Sequence, residues 1–404
     1  MFNLSYEFKL KPTQKQIKMF EEWLETHRRV YNHALAERKD WYQSRSCQVN
    51  TCTLRSCYII PVDAPRPTFA SQCKSLTAAR KENEYLKRVN AQSLQQTLRR
   101  LEKAFVSMWE QNHGFPRFKK TGRMRSFSFP QLGVNPLANG FVKLPVIGAV
   151  KMRQSRNVPD GGVIKQARVI KRVSGWYVML TVQWDVSAPQ PMPRGEVMGI
   201  DVGLTSFVAT SNGLLVKRPR FFVDAERKLK LLQQRVSRKR IGSNNWKKAQ
   251  KKVASLHEYV ANCRKDWHRK LSHQICNDAG MVFVEDLNLV GLSRGMLGKH
   301  CLDAGFGQFF NILEQTCFKR DVYFQKVDAR KTSQICPNCG VETGKKELSE
   351  RTHICSNCGY TTDRDVAAAQ VVAIRGLAAV GHTVKMLGEG KFIGIPVTQE
   401  SPGF

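Results

Sequence analysis

The chain has 404 residues, enough for two or three domains with ample cores, and its 65 Lys and Arg outweigh 33 Asp and Glu for a formal net charge of +32. Such an excess repels itself unless a polyanion neutralises it. It argues against a small-molecule metabolic enzyme, and for nucleic acid as partner ahead of a ribosomal or membrane-surface role. No stretch reaches the roughly eighteen apolar residues of a membrane span, and Met1-Phe2-Asn3-Leu4 runs into charged residues without a signal-peptide core. A cytoplasmic, nucleoid-associated protein is therefore expected, with reduced thiols, so that its 12 cysteines bind metal or are simply buried.

In chain order, Thr13-Gln14-Lys15-Gln16 after Pro12 reads as a capping box, and Ile17, Phe20, Leu24, Tyr31 and Leu35 then recur at helical spacing. Residues 40–75 contain Pro61, Pro65 and Pro67 and are expected as a loop or irregular insertion. A second amphipathic helix carries Leu94, Leu98, Leu101, Phe105 and Met108 on one face. From His113 the pattern turns to strand. Gly114-Phe115-Pro116-Arg117-Phe118-Lys119-Lys120 interleaves aromatics with cations, and Val163–Val173 and Trp176–Trp184 flank Ser174-Gly175 as a hairpin. Residues 114–186 are expected as a small β-barrel-like module, with Pro189, Pro191 and Pro193 marking a linker.

Residues 196–216 predict three short strands, the first ending at Asp201. A helical hairpin of some fifty residues follows. Within 226–270 it holds fifteen Lys or Arg against Glu226, Glu258 and Asp266, an imbalance suited to a phosphate backbone. A second apolar run, Met281-Val282-Phe283-Val284, ends at Glu285, and Asp365 opens the helical stretch Asp365-Val366-Ala367-Ala368-Ala369.

Any one acid after an apolar strand can be the polar start of a loop, and Asp365 alone could be a helix-dipole residue. Together, two strand-end acids and one helix-start acid suit hard divalent cations: two such ions held by converging carboxylates can hydrolyse a phosphodiester. The register is open at two points, since Asp286 adjoins Glu285 and Asp363 lies two residues before Asp365. The apolar run favours Glu285.

Between the last two acids lie Cys336-Pro337-Asn338-Cys339-Gly340 and Cys355-Ser356-Asn357-Cys358-Gly359, two copies of one turn. Four thiolates at this spacing predict a closed, structural zinc site. Cys47, Cys52, Cys57 and Cys73 fit no zinc template and are expected as non-ligands. Cys263, Cys276, Cys301 and Cys317 are expected as small buried hydrophobes.

On this series the chain resembles TnpB, the insertion-sequence-encoded RNA-guided nuclease family related to miniature type V CRISPR effectors. The resemblance is carried by Tyr31-Asn32, Gly114-Phe115-Pro116-Arg117-Phe118, Gly199-Ile200-Asp201-Val202-Gly203, Val284-Glu285-Asp286-Leu287, Thr332-Ser333-Gln334, both cysteine knuckles and Asp363-Arg364-Asp365. It implies a multidomain α+β protein. Residues 1–10 would give the first wedge-domain strand, 11–112 a helical recognition lobe and 113–190 a β-barrel wedge domain. Residues 195–331 would form an RNase H-like (RuvC) nuclease with the basic hairpin at 222–278, followed by a zinc module at 332–360 and a last nuclease helix at 361–380.

The tail 381–404 matches no motif and is expected to lack fixed structure. The resemblance also implies a guide RNA made from the element's own end and a target DNA. Asp201, Glu285 and Asp365 would be the catalytic magnesium ligands, and Cys336, Cys339, Cys355 and Cys358 the zinc ligands. Many relatives carry asparagine where Ala367 stands, which is a departure. An RNA-independent transposase and a non-cutting RNA-guided repressor remain as alternatives, although retention of all three acids disfavours the second.

Overall fold

In the computed structural model, which describes residues 2–46, 60–133, 136–347, 349–387 and 391–396, the chain divides into two compact units, Met1–Ala188 and Pro189–Phe404. The first opens with β1 (Phe2–Leu10) and α1 (Gln14–Ser46). Thr13 Oγ1 accepts from the Gln16 N–H at 3.3 Å while Gln16 Oε1 accepts from the Thr13 N–H at 3.0 Å, so the capping box starts the helix as expected.

The helix runs past the break expected at residue 40 because its last turns have partners that a local pattern does not reveal. Tyr42 stacks on Phe105 with centroids 6.0 Å apart, and Trp41 Nε1 donates to the Ala64 carbonyl at 2.9 Å. The irregular segment expected over 40–75 is likewise helical at its other end, where α2 (Phe69–Glu82) begins with a Thr68–Ser71 capping box. Cys47, Cys52 and Cys57 lie outside the described residues; Cys73 is half-buried on α2.

After α3 (Glu84–Lys87), α4 (Ala91–Glu110) buries Leu94, Leu98, Leu101 and Phe105. Six strands follow: β2 (Ser126–Phe129), β3 (Leu137–Ala138), β4 (Phe141–Leu144), β5 (Gly148–Arg153), β6 (Val163–Arg172) and β7 (Gly175–Trp184). With β1 they form a seven-stranded sheet in the order β2-β6-β7-β1-β5-β4-β3. The expected β6–β7 hairpin turns at Gly175, whose φ of +129° favours a residue without a side chain. Helix α1 rests on this sheet through Phe20, which meets Trp176 at 4.9 Å and Phe127 at 5.9 Å. Helices and sheet of this unit share one apolar cluster, where each fully buried large side chain contributes about 2–3 kcal/mol.

The second unit is built on β8 (Val197–Asp201), β9 (Ser206–Thr210), β10 (Leu215–Lys217), β11 (Met281–Glu285) and β12 (Tyr323–Val327), ordered β10-β9-β8-β11-β12. β8, β11 and β12 run parallel, and β9 is antiparallel to both its neighbours. Met281, Val282, Phe283 and Val284 are all buried, which explains their unbroken apolar run: the sheet is covered on both faces. The hairpin α5 (Phe221–Ser237) and α6 (Asn244–Asp278) precedes β11, and α7 (Leu289–Arg294), α8 (Gly298–Ala304) and α9 (Phe306–Lys319) follow it.

A 3₁₀ turn at Thr332–Gln334, β13 (Thr352–Ile354) and β14 (Thr361–Asp363) lead into α10 (Arg364–Ala379), which packs on the sheet. The approach is close at two glycines. A Cβ on Gly199 would lie 2.0 Å from the Ala369 carbonyl oxygen, and one on Gly376 would lie 2.1 Å from the Phe283 ring. The tail departs from its expected lack of structure in β15 (His382–Leu387) and β16 (Lys391–Pro396), which pair antiparallel; both segments contain β-favouring residues. Cys276 and Cys317 are buried as expected, whereas Cys263 and Cys301 are only partly so, each lying on a helix face that is not fully covered. Among the described residues, no helix is long and apolar enough to cross a membrane.

Candidate metal centres and nucleic-acid surface

Strand register brings the first two acids together. β8 and β11 are parallel, with Met281 beside Val197 and Val284 beside Ile200. Asp201 and Glu285 are the next residues, and the last, of these two strands, which lie about 4.8 Å apart. Alternation separates the two adjoining acids: Glu285 is 6% exposed, whereas Asp286 faces solvent with Lys326 3.8 Å away. Asp365 comes from the first turn of α10. Asp363 caps that helix, its Oδ1 accepting from the Asp365 N–H at 2.8 Å and the Val366 N–H at 3.3 Å, so the two acids there have different roles.

The Asp201 carboxyl senses the other two. Burial foremost, then the charges of Glu285 and Asp365, push the Asp201 carboxyl well above its ordinary range, against the Val202 N–H and Arg364. Burial raises Glu285 too, opposed by the Thr332 hydroxyl and the charge of Arg375. Burial and the Asp363 charge raise Asp365, opposed by Arg351, Arg364 and a hydrogen bond from Ser206. Glu285 is buried while Asp201 and Asp365 are partly exposed, and carboxyls raised in this way are oxygen donors of the kind a hard divalent cation stabilises.

The cysteines form a second centre. Cys336 N–H donates to the Val341 carbonyl and Gly340 N–H to the Cys336 carbonyl; Cys355, Tyr360 and Gly359 repeat the pattern, all at 2.9–3.0 Å. Gly340 (φ +75°) and Gly359 (φ +72°) occupy the left-handed region that this turn requires. The four Sγ atoms lie within 4.8 Å of one another, with Cys336–Cys358 at 3.7 Å and Cys339–Cys355 at 3.6 Å.

A disulfide needs about 2.05 Å, whereas a tetrahedron of sulfurs 2.3 Å from zinc has edges of about 3.8 Å. The cluster therefore fits a zinc ion. The Val341 N–H lowers the Cys339 thiol to about 6 and the Tyr360 N–H lowers Cys358, favouring thiolates, while burial holds Cys336 up at about 12. Among the described residues, the four cysteines are the group of three or more His, Cys, Asp or Glu side chains that closes this tightly.

One site residue carried no role in the sequence. Thr332, 6% exposed, donates its hydroxyl to Glu285 Oε1 at 2.6 Å. It stands four residues before the first knuckle, within the Thr332-Ser333-Gln334 motif, and nothing in the spacing reveals a partner 47 positions away.

Fourteen of the fifteen Lys and Arg within 226–270 are exposed, Arg264 being the exception. Lys230 and Lys270 have acidic neighbours at 3.5 Å and 2.7 Å. Such exposed pairs contribute little and exchange readily for phosphate. In the first unit, two of the sequence motifs meet: Asn32 Nδ2 donates to the Lys119 carbonyl at 3.0 Å and its Oδ1 accepts the Lys119 N–H at 2.8 Å. That lock presents the half-exposed rings of Phe115 and Phe118 among cations, with Lys39 5.6 Å from the Phe118 ring.

Comparison with known proteins sets these sites in context. The sequence matches three family descriptions: "Probable transposase" over residues 178–295, "Cas12f1-like, TNB domain" over 306–372, and "Helix-turn-helix domain" over 1–47. Across 2–46 the described residues form one strand and one long helix. The chain is 28% identical over 412 residues to the "Putative RNA-guided DNA endonuclease InsQ" of Escherichia coli (strain K12), covering 98% of this chain and 96% of the relative. It is 30% identical over 382 residues to a "Putative RNA-guided DNA endonuclease" of Streptomyces pristinaespiralis, covering 93% and 90%. The solved Cas12f1-sgRNA-target DNA complex aligns with TM-score 0.55 at 14% identity, over 89% of this chain and 83% of that one, a likeness of fold.

Proposed function

Because the chain belongs to the TnpB family, we propose that it is an RNA-guided DNA endonuclease encoded by a transposable element, with a guide RNA derived from the element's end. The observation that carries the nuclease reading is that Asp201 and Glu285 end the parallel neighbours β8 and β11, one residue past the pair Ile200 and Val284, and that the Asp201 carboxyl feels the charges of Glu285 and Asp365. The strand order β10-β9-β8-β11-β12, in which only β9 is reversed, supports an RNase H-like core of the RuvC type. The seven-stranded sheet supports a β-barrel wedge domain over 113–190 with its first strand at 1–10, and α1–α4 a recognition lobe over 11–112.

Asp201, Glu285 and Asp365 would hold magnesium, which when bound supplies two-metal activation of a water and stabilisation of the departing 3′ oxygen. The chain's own residues do the positioning. Gly199 lets α10 approach β8, Asp363 caps α10, and Thr332 fixes one oxygen of Glu285. The exposed cations of α5 and α6, and the cation-flanked rings near Phe118, suit nucleic acid backbones and unstacked bases. The Cys336–Cys358 cluster would hold a structural zinc within a module spanning 332–360 that contacts target nucleic acid.

The test is Asp201→Ala in the protein–RNA complex. Cleavage of matched DNA should fall to background while guided binding stays within about 2-fold, because one metal ligand is removed and no backbone contact is lost. Undiminished cutting would reject the assignment, and binding that is indifferent to removal of the RNA would favour an RNA-independent transposase.

A further inference from the structure

We propose that Thr332 is a positioning residue for Glu285, and that it ties the geometry of the carboxylate centre to the cysteine module. The inference deepens the nuclease reading and rests on it. Thr332 has one hydroxyl proton and two oxygens within reach: Glu285 Oε1 at 2.6 Å and the Ala329 carbonyl at 3.4 Å. The shorter contact takes the proton. Glu285 Oε1 is thereby committed to the protein, and Oε2 takes no donor among the described residues. A glutamate has three side-chain torsions, so one oxygen pinned in a buried site removes most of the carboxylate's freedom to turn away from Asp201.

The anchor is itself held. Thr332 begins the turn Thr332–Gln334, one residue short of Cys336, and Gln334 is clamped to the cysteine module: Thr343 N–H donates to the Gln334 carbonyl at 2.7 Å and Thr343 Oγ1 donates to it at 3.0 Å. The module also reaches the loop after Asp201, where Arg351 Nη2 donates to Thr205 Oγ1 at 2.9 Å, and it leads through β14 to the Asp363 cap. The segment 332–363 therefore touches Glu285 and the Asp365 backbone directly, and the loop after Asp201 through Thr205. Thr332 is the support that touches a carboxylate oxygen.

The experiment compares Thr332→Val, which keeps the shape and removes the hydroxyl, with Thr332→Ser, which keeps the hydroxyl and removes the methyl. The readout is Mn²⁺ binding to the full chain–RNA complex by titration calorimetry, with zinc content measured alongside and cleavage as a second readout. T332V is expected to weaken Mn²⁺ binding by about 10-fold, the lower end for losing a group that orients a metal ligand, with zinc retained; T332S should stay within about 2-fold. In a Glu285→Gln background, T332V should have no further effect. Wild-type Mn²⁺ affinity in T332V would overturn the proposal, as would equal losses in T332V and T332S, which would assign the threonine to packing. Thr332→Ala serves as a second hydroxyl-free variant should T332V not fold. Retained cutting in E285Q alone would instead reject the underlying nuclease reading.

Discussion

Gly199→Ala adds one carbon at the point where α10 crosses β8, and the consequence can be worked out from the contacts. The new Cβ would sit 2.0 Å from the Ala369 carbonyl oxygen, 2.6 Å from the Ala373 nitrogen and 2.9 Å from the Ala373 Cβ. Two of these are backbone atoms of a buried helix, so no rotamer change relieves the clash. Ordinary contact begins near 3.4 Å, and α10 must therefore withdraw by about 1.4 Å or β8 must bend. Asp365 rides on the first turn of α10 and Asp201 on the end of β8, so the displacement falls between two of the three carboxylates.

Misplacement by about 1 Å typically costs about 100-fold in rate, and overpacking of a core about 1–3 kcal/mol in stability. Single-turnover cleavage at saturating magnesium should fall by roughly two orders of magnitude in G199A, with a lower melting temperature and with RNA binding retained. Cutting and melting like wild type would refute both the close packing and its link to the active centre.

Three further outcomes are expected. His27 is fully buried, with Nδ1–H donating to the Trp23 carbonyl at 2.6 Å and Nε2 accepting from the Ser93 hydroxyl at 2.9 Å, and burial lowers it to about 4. The unfolded chain takes up a proton below about 6.5 and the native state only below about 4, so this residue's contribution is lost as pH falls through that window. It amounts to about 3 kcal/mol, and urea unfolding of H27Q should show a correspondingly flatter pH dependence. Native mass spectrometry should find one zinc per chain, lost in Cys355→Ser, with amide exchange accelerating across 332–363; a zinc-free chain with unchanged protection would oppose a structural metal. If about five of the exposed cations on α5 and α6 meet phosphates, affinity for nucleic acid should drop about 500-fold between 50 and 200 mM salt, and a flat response would remove the hairpin from the interface.

Local chemistry made much of this legible in the sequence. The acids at 201 and 285 stand out because a covered parallel strand is apolar throughout and stops abruptly at a carboxylate. The knuckles repeat one turn, and the basic hairpin declares itself by charge. Lateral partners were not legible. Nothing in the pattern tells that Thr332 reaches Glu285 or that Asn32 brackets the Lys119 peptide. Nor does it tell that the buried Arg38 takes Glu102 at 2.6 Å and Gln72 at 3.0 Å. The extension of α1 to Ser46 was missed for the same reason: Trp41 and Tyr42 are stabilised by residues that only the folded chain places beside them. The choice between Glu285 and Asp286 needed the register of β11, which periodicity leaves ambiguous by one residue.

The parallel pairing of β8 with β11 also bears on when the protein becomes dangerous to the DNA around it. Asp201 and Glu285 are neighbours in space but 84 residues apart along the chain, and the third acid is a further 80 residues on. Contacts of such long range form late, and on the ribosome the N-terminal parts emerge first. A chain still in synthesis can fold its first unit, with Phe115 and Phe118 already presented, while the cutting centre proposed above does not yet exist. Truncated products ending before α10 would lack Asp365 and the helix that covers Gly199, so on the proposed assignment competence to cut waits for α10.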